Sequence, residues 1–136
     1  MMIRVCTRIS AVLITLFFIS TSNIQAQLVI DGVMDGPLSG GVPKFIALKA
    51  TVDIPDLSIY GVGSANNGGG SDGQEFTLSG SATIGDIIYI ASEQANFNAF
   101  MGFDPDFTSG AASINGDDAI ELFMNGAVVD VFGDIN

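Results

Sequence analysis

The sequence predicts an all-β domain, an antiparallel two-sheet sandwich of about seven strands with one short helix. Three observations support this fold class. Short runs rich in β-branched and aromatic residues alternate with clusters of Gly, Pro, Asn, Asp and Ser. An Asn-Gly pair separates two alternating runs near the end of the chain, which favours a tight hairpin. The chain has 136 residues, which suits one small domain.

The first 26 residues have the pattern of an export signal. Arg4 and Arg8 precede an apolar run over residues 9–19, and Ala26 is a small residue suited to cleavage. The alternative is a transmembrane anchor, but polar residues end the run before the roughly 18 needed to span a membrane. We therefore expect residues 1–26 to be a signal peptide, the mature domain to cover residues 27–136 without a membrane span, and the protein to be secreted or periplasmic.

Seven segments have the composition and alternation of strands. In the second, Ile46, Leu48 and Ala50 occupy one face while Phe45 and Ala47 occupy the other. The fifth is apolar on both faces, which suits a central strand. The predicted strands are residues 28–34, 44–51, 57–62, 74–78, 86–91, 118–124 and 127–132.

One segment has helical spacing. Ser92 is the predicted N-cap of a helix over residues 93–101, and Gly102 is the predicted stop. Phe97, Phe100 and Met101 would share one face, which either covers an end of the sandwich or lines a ligand groove. The glycine-rich residues 64–73 match no phosphate-binding loop, because no lysine follows and no helix begins there.

The Asn125-Gly126 turn predicts the register of the closing hairpin. In a two-residue type I′ turn Met124 lies opposite Ala127, so one face is wholly apolar and should be buried. This core face comprises Ile120, Leu122, Met124, Ala127, Val129 and Val131.

The other face of this hairpin would bring acidic residues together. The same register places Glu121 opposite Asp130 and Asp117 opposite Asp134, with Cβ atoms about 4.5–5.5 Å apart. Carboxylates at this distance can share a hard cation, and calcium is the obvious candidate outside a cell. The alternative is that the side chains turn into water and salt screens their repulsion. Asp117, Glu121, Asp130 and Asp134 are thus candidate metal ligands, with no established cofactor.

Composition argues against several classes of function. Two of the four cations lie in the predicted signal, so Lys44 and Lys49 face all 15 acids and leave 13 excess negative charges. A domain of this charge is a poor partner for nucleic acid. The chain has no His, and the predicted cleavage removes its single Cys, Cys6, so relays and metal sites built on these residues are not expected.

The order of motifs LVIDGVMDGP, FIALKA, DLSIYGV, GDIIYIAS and INGDDAIELFMNGAVVDVFGD resembles the lamin tail domain family as found in secreted bacterial proteins. The resemblance covers most of residues 28–136 and is strongest in the last motif. It implies an immunoglobulin-like β-sandwich that serves as an attachment or interaction module. Ala47 stands where the family typically has Glu, and Ile59-Tyr60 where it has Trp, so family contacts there are not carried over.

These observations predict an exported, non-catalytic interaction or attachment module. Its expected partner is an extracellular protein or a surface polymer. The alternative is the accessory domain of an extracellular nuclease or phosphoesterase, since the resemblance implies a truncated member without the terminal strand or downstream domain of its relatives. A hydrolase using Glu121 and Asp130 is not expected, because a flat hairpin offers no cleft for the two acids.

Overall fold

The structure is a computed structural model that describes residues 27–136. The predicted signal peptide, residues 1–26, lies outside the described residues. In the described part, no helix is long and apolar enough to cross a membrane.

Within residues 27–136, eight strands form two sheets of four strands each. The strands are β1 (Leu28–Asp35), β2 (Lys44–Ala50), β3 (Tyr60–Ala65), β4 (Phe76–Thr77), β5 (Ile87–Ala91), β6 (Phe107–Thr108), β7 (Ala119–Met124) and β8 (Ala127–Phe132), with a single helix α1 (Gln94–Met101) among the described residues. The first sheet has the order β1-β2-β5-β6 and the second β4-β3-β7-β8. The all-β sandwich with one short helix is therefore confirmed.

Two details of the prediction are corrected. The two-residue strand β6 runs parallel to β5, so the first sheet is mixed rather than wholly antiparallel. The segment predicted as a strand from residue 57 begins instead with a 3-10 turn, Leu57–Ile59, and becomes strand at Tyr60. The Asp56 carboxylate caps this turn by accepting a hydrogen bond from the Ser58 N–H at 2.9 Å, which stabilises the turn against the extended form.

The main core lies between the two sheets and follows the predicted alternation. Ile46, Leu48 and Ala50 of β2 belong to it, as do Ile88 and Ile90 of β5. From the second sheet it receives Tyr60, Val62, Ile120 and Leu122, each at most 1% exposed. Burial of this continuous apolar surface is the main source of stability of the sandwich.

Helix α1 packs on the outer face of the first sheet, away from the main core. Phe97 is fully buried, and its ring centroid lies 5.2 Å from that of Phe45 and 5.5 Å from that of Tyr89. These residues form a second apolar cluster with Ala47 and Ala91. The helix thus covers one face of a sheet rather than one end of the sandwich, which explains why β2 and β5 are apolar on both sides.

The ends of α1 agree with the prediction at one terminus only. Gly102 is the C-cap, with a positive φ of 84°, and its N–H bonds the Asn98 carbonyl. The N-cap is Glu93, whose carboxylate accepts from the Asn96 N–H at 3.0 Å. The predicted N-cap, Ser92, lies one residue before this cap, and its N–H pairs with the Lys44 carbonyl of β2.

The closing hairpin keeps its predicted turn but not its predicted register. Asn125 and Gly126 have positive φ values of 51° and 78°, and Met124 and Phe123 lie opposite Ala127 and Val128 as expected. A β-bulge then shifts the ladder, so that Leu122 lies opposite Asp130. Ile120 and Leu122 are buried as predicted. Val131, beyond the bulge, is 40% exposed, and Ala127, beside the turn, is exposed although its pairing is as predicted.

Candidate functional site

The bulge separates the two acidic residues that the hairpin was expected to pair. Glu121 lies opposite Val131, and Asp130 lies opposite Leu122. Since Leu122 points into the main core, Asp130 lies on the core side of the second sheet and Glu121 on its outer side. The predicted pairing of Glu121 with Asp130 is therefore wrong. The ladder ends with Ile120 opposite Phe132, so it does not pair Asp117 with Asp134 either.

The Asp130 carboxylate binds backbone rather than a second acid. Its Oδ2 accepts from the Ile30 N–H of β1 at 2.8 Å, and its Oδ1 accepts from the Val131 N–H at 2.9 Å. Ile30 lies beside a register shift in β1, where the regular pairing with β2 is interrupted. Asp130 therefore connects the edge strands of the two sheets.

Glu121 is the deeply buried acid of the hairpin, with 1% of its surface exposed. The Ser71 hydroxyl donates to its Oε2, and the same hydroxyl oxygen accepts from the Gly73 N–H at 3.2 Å. Gly63 lies opposite Glu121 in β3, where an added Cβ would stand 2.1 Å from the Gly73 carbonyl oxygen. The loop of residues 66–73 can cover Glu121 only because β3 has no side chain at this position.

Two further contacts hold this loop. The Asn67 N–H donates to Asp118 Oδ1 at 3.0 Å, and the Gly70 N–H donates to the Ile135 carbonyl at 2.9 Å.

The other two candidate metal ligands lie apart from Glu121 and Asp130 in the ladder: Asp134 accepts from the Asn136 N–H at 3.0 Å, and Asp117 is exposed before β7. Over residues 27–136, no three acidic side chains converge in a way that could hold a metal ion. The arrangement that motivated calcium binding is thus absent from this part of the chain, which favours the alternative, screening of the acidic side chains by salt.

A different surface combines an uncharged helix with exposed aromatic rings. No residue of α1 is ionisable, and the run without charge extends from Gln94 to Phe103. Phe100 is 52% exposed and Phe103 is 44% exposed. We call this surface, formed by the exposed side of α1 with Phe100 and Phe103, the aromatic face.

Phe103 is held in a fixed position. Its ring centroid lies 5.4 Å from that of Tyr89 and 5.6 Å from that of Phe97, both in edge-to-face arrangements. The acids that follow it are also held, since Asp104 accepts from the Asn98 side-chain amide at 2.7 Å and Asp106 accepts from the Tyr89 N–H at 2.8 Å. The segment therefore presents an exposed ring on an ordered support, with carboxylates at its border.

Sequence reasoning found part of this surface. It placed Phe97, Phe100 and Met101 on one helical face, but the structure buries Phe97 and leaves Phe100 half exposed. It did not single out Phe103, which follows the helix stop. The available signal was the spacing of Phe97, Phe100 and Phe103 at intervals of three residues in a segment without charged side chains.

Comparison with protein families, with curated proteins and with solved structures finds no match to this chain. Membership of the lamin tail family therefore stays a prediction, based on the motifs of the sequence.

Proposed function

We propose that this protein is an exported, non-catalytic interaction module of the lamin tail type, and that it binds its partner through the aromatic face. The observation that carries this proposal is the pair of exposed rings, Phe100 on the uncharged helix α1 and Phe103 directly after it, in an acidic domain. The centres of protein interfaces are enriched in aromatic residues and depleted of charge. An ordered, half-exposed ring offers binding energy at a low cost in conformational entropy.

The charges around the aromatic face indicate the chemistry of the partner. Glu93, Asp104 and Asp106 border the face, and residues 27–136 carry 13 excess negative charges. A partner with lysine or arginine around an apolar centre would complement this border and would be steered toward it. A second copy of the domain would instead bring acids against acids. The partner we propose is therefore a cationic protein surface.

Retention on the washed surface of the producing cells tests the proposal. Labelled protein should bind saturably, and combined Phe100→Ser and Phe103→Ser substitutions should weaken binding about tenfold or more, as expected for interface anchors. Val128→Ser is the matched control, because Val128 is also 44% exposed but lies on the second sheet.

Each result has a clear meaning. Absence of saturable binding by the unaltered protein contradicts the interaction role. Equal binding by the double variant assigns the interaction to another surface. Binding that survives removal of basic surface proteins by protease contradicts the cationic protein partner and points to a surface polymer.

A further inference from the structure

A buried lysine on the first sheet has an unusual set of neighbours. Lys44 begins β2 and is 9% exposed. Its Nζ donates to Asp35 Oδ1 at 2.8 Å, to Asn115 Oδ1 at 3.1 Å, and to the Ile114 backbone carbonyl. An amine, a carboxylate and a carboxamide thus meet at one point, which none of the proposed binding functions uses.

The sheet register and one glycine build this cluster. Asp35, the last residue of β1, lies directly opposite Lys44 in the β1–β2 ladder. The connecting turn folds back over the pair at Gly41, which has a positive φ of 71°. A Cβ on Gly41 would lie 2.3 Å from Asp35 Oδ1 and 2.9 Å from Lys44 Nζ, so the turn encloses both groups only because residue 41 is glycine.

Asn115 is distant from Lys44 in the sequence and is also held in place. It lies in the loop before β7, where its N–H donates to Asp118 Oδ2 at 2.7 Å and its carbonyl accepts from the Asp118 N–H at 3.0 Å. Lys44 is held by β2, whose carbonyl at this residue accepts from the Ser92 N–H at 2.9 Å. In the folded protein the two side chains are therefore already in contact.

From this geometry we infer that Lys44 and Asn115 form an intramolecular isopeptide bond, with Asp35 as the proton carrier. The amine nitrogen is a nucleophile and the side-chain carboxamide carbon is an acyl donor. A reaction between such groups is slow in free solution. It becomes effectively unimolecular when folding fixes the two groups in contact, which corresponds to a very high effective concentration.

The proposed reaction balances without any further reactant. Asp35 accepts a proton from the Lys44 ammonium, and the freed nitrogen lone pair attacks Cγ of Asn115. The Cγ–Nδ2 bond then breaks as Asp35 returns this proton to the departing nitrogen. The second proton of Nζ passes through Asp35 to the released ammonia, which leaves as ammonium. The product is an amide between Lys44 Nζ and Asn115 Cγ. Because Asn115 is exposed, ammonia can escape to solvent and dilution opposes the reverse reaction.

Asn115 rather than Asp35 is the acyl donor in this inference. An ionised carboxylate is a poor electrophile. Its condensation with the amine would also release water, and the surrounding solvent water favours the reverse reaction. The carboxamide is neutral and releases ammonia instead. Asp35 is nevertheless placed to act as the acid and base, since its Oδ1 contacts Nζ directly.

The bond would join β2 in the first sheet to the segment leading into β7 in the second. It would close a loop between positions 71 residues apart in the chain. A covalent link across such a span restricts the unfolded chain in the way a disulfide does, although the protein has only one cysteine.

Trypsin digestion under denaturing conditions provides a decisive test. Residues 27–136 contain two lysines, Lys44 and Lys49, and no arginine. Without the bond, this region yields separate fragments ending at residues 44, 49 and 136. With the bond, trypsin does not cut at the modified Lys44, and the fragment ending at residue 49 stays attached to residues 50–136. The expected result is this single branched species, lighter than the sequence predicts by one ammonia.

Variants identify the groups involved. Lys44→Arg and Asn115→Ala should abolish the branched species and the loss of ammonia. Asp35→Asn should also prevent bond formation, although it keeps a hydrogen-bond acceptor beside Nζ. Lys49→Arg is the matched control and should retain the branched species. Complete separation of the three fragments from the unaltered protein overturns the inference, and so does the loss of a water, which would place the bond at Asp35.

Discussion

The Asp130 carboxylate accepts a hydrogen bond from the Ile30 N–H at 2.8 Å, so the last strand of one sheet is joined to the first strand of the other. The same carboxylate accepts from the Val131 N–H. Unpaired amides on strand edges can recruit other strands. Asp130 thus closes the sandwich at this edge and satisfies two donors that regular pairing leaves open.

Replacing Asp130 by Ala should lower the free energy of unfolding by about 1–3 kcal/mol, because two backbone donors lose their acceptor. Urea unfolding measures the change. Asp134→Ala is the control, since Asp134 is exposed and binds only the nearby Asn136 N–H among the contacts described above. Equal effects of the two variants would contradict a specific role for Asp130.

The bulged register makes a second prediction. Leu122 is fully buried, whereas Val131 is 40% exposed. Leu122→Ala should cost about 2–5 kcal/mol through lost burial and the resulting cavity, and Val131→Ala should stay within about 0.5 kcal/mol. Thermal or chemical unfolding of both variants checks this. A large loss for Val131→Ala would restore the regular register and contradict the bulge.

The loop over Glu121 gives a third prediction. Gly63→Ala should push residues 66–73 off the second sheet, because the new Cβ would meet the Gly73 carbonyl oxygen at 2.1 Å. We expect a loss of about 1–3 kcal/mol from this overpacking and faster amide hydrogen exchange in the loop. Gly116→Ala is the control, because nothing lies within 4 Å of its Cβ position. Unchanged exchange in Gly63→Ala would contradict the close packing of the loop.

Calcium provides a fourth prediction. Because Glu121 and Asp130 lie on opposite sides of the sheet, we expect calcium chloride to raise the thermal midpoint no more than sodium chloride of equal ionic strength, as screening of the acidic surface requires. A saturable heat in a calorimetric titration, lost in Glu121→Gln, would instead demonstrate a cation site.

The loss of thermal stability at acidic pH gives a fifth prediction. Hydrogen bonds from the Thr83 N–H and then from its hydroxyl lower the pKa of Asp86 below its usual 3.8. A lowered pKa contributes stability that is present above the unfolded pKa and is lost as the pH falls through the folded one. Asp86→Asn should therefore flatten the fall of the thermal midpoint below about pH 4. Identical profiles for Asp86→Asn and the unaltered protein would contradict the contribution of Asp86.

The sequence by itself determined the features that depend on neighbours along the chain. Alternation in β2 assigned Ile46 and Leu48 to one face and Phe45 and Ala47 to the other, because side-chain direction in a strand has period two. Asn125-Gly126 determined the turn, and Gly102 the helix end, because both need positive φ. The all-β class follows from many such local preferences acting together.

Only the tertiary structure decided which distant groups meet. The bulge beyond Val128 changes the neighbours of Glu121 and Asp130, and one inserted residue is enough to reverse the face of every position that follows it. The burial of Glu121 depends on a loop 50 residues away that supplies Ser71, and the Lys44 cluster depends on Asn115, 71 residues away. Residue spacing cannot encode these contacts, because the packing of the two sheets and their loops brings together positions that are remote in the chain.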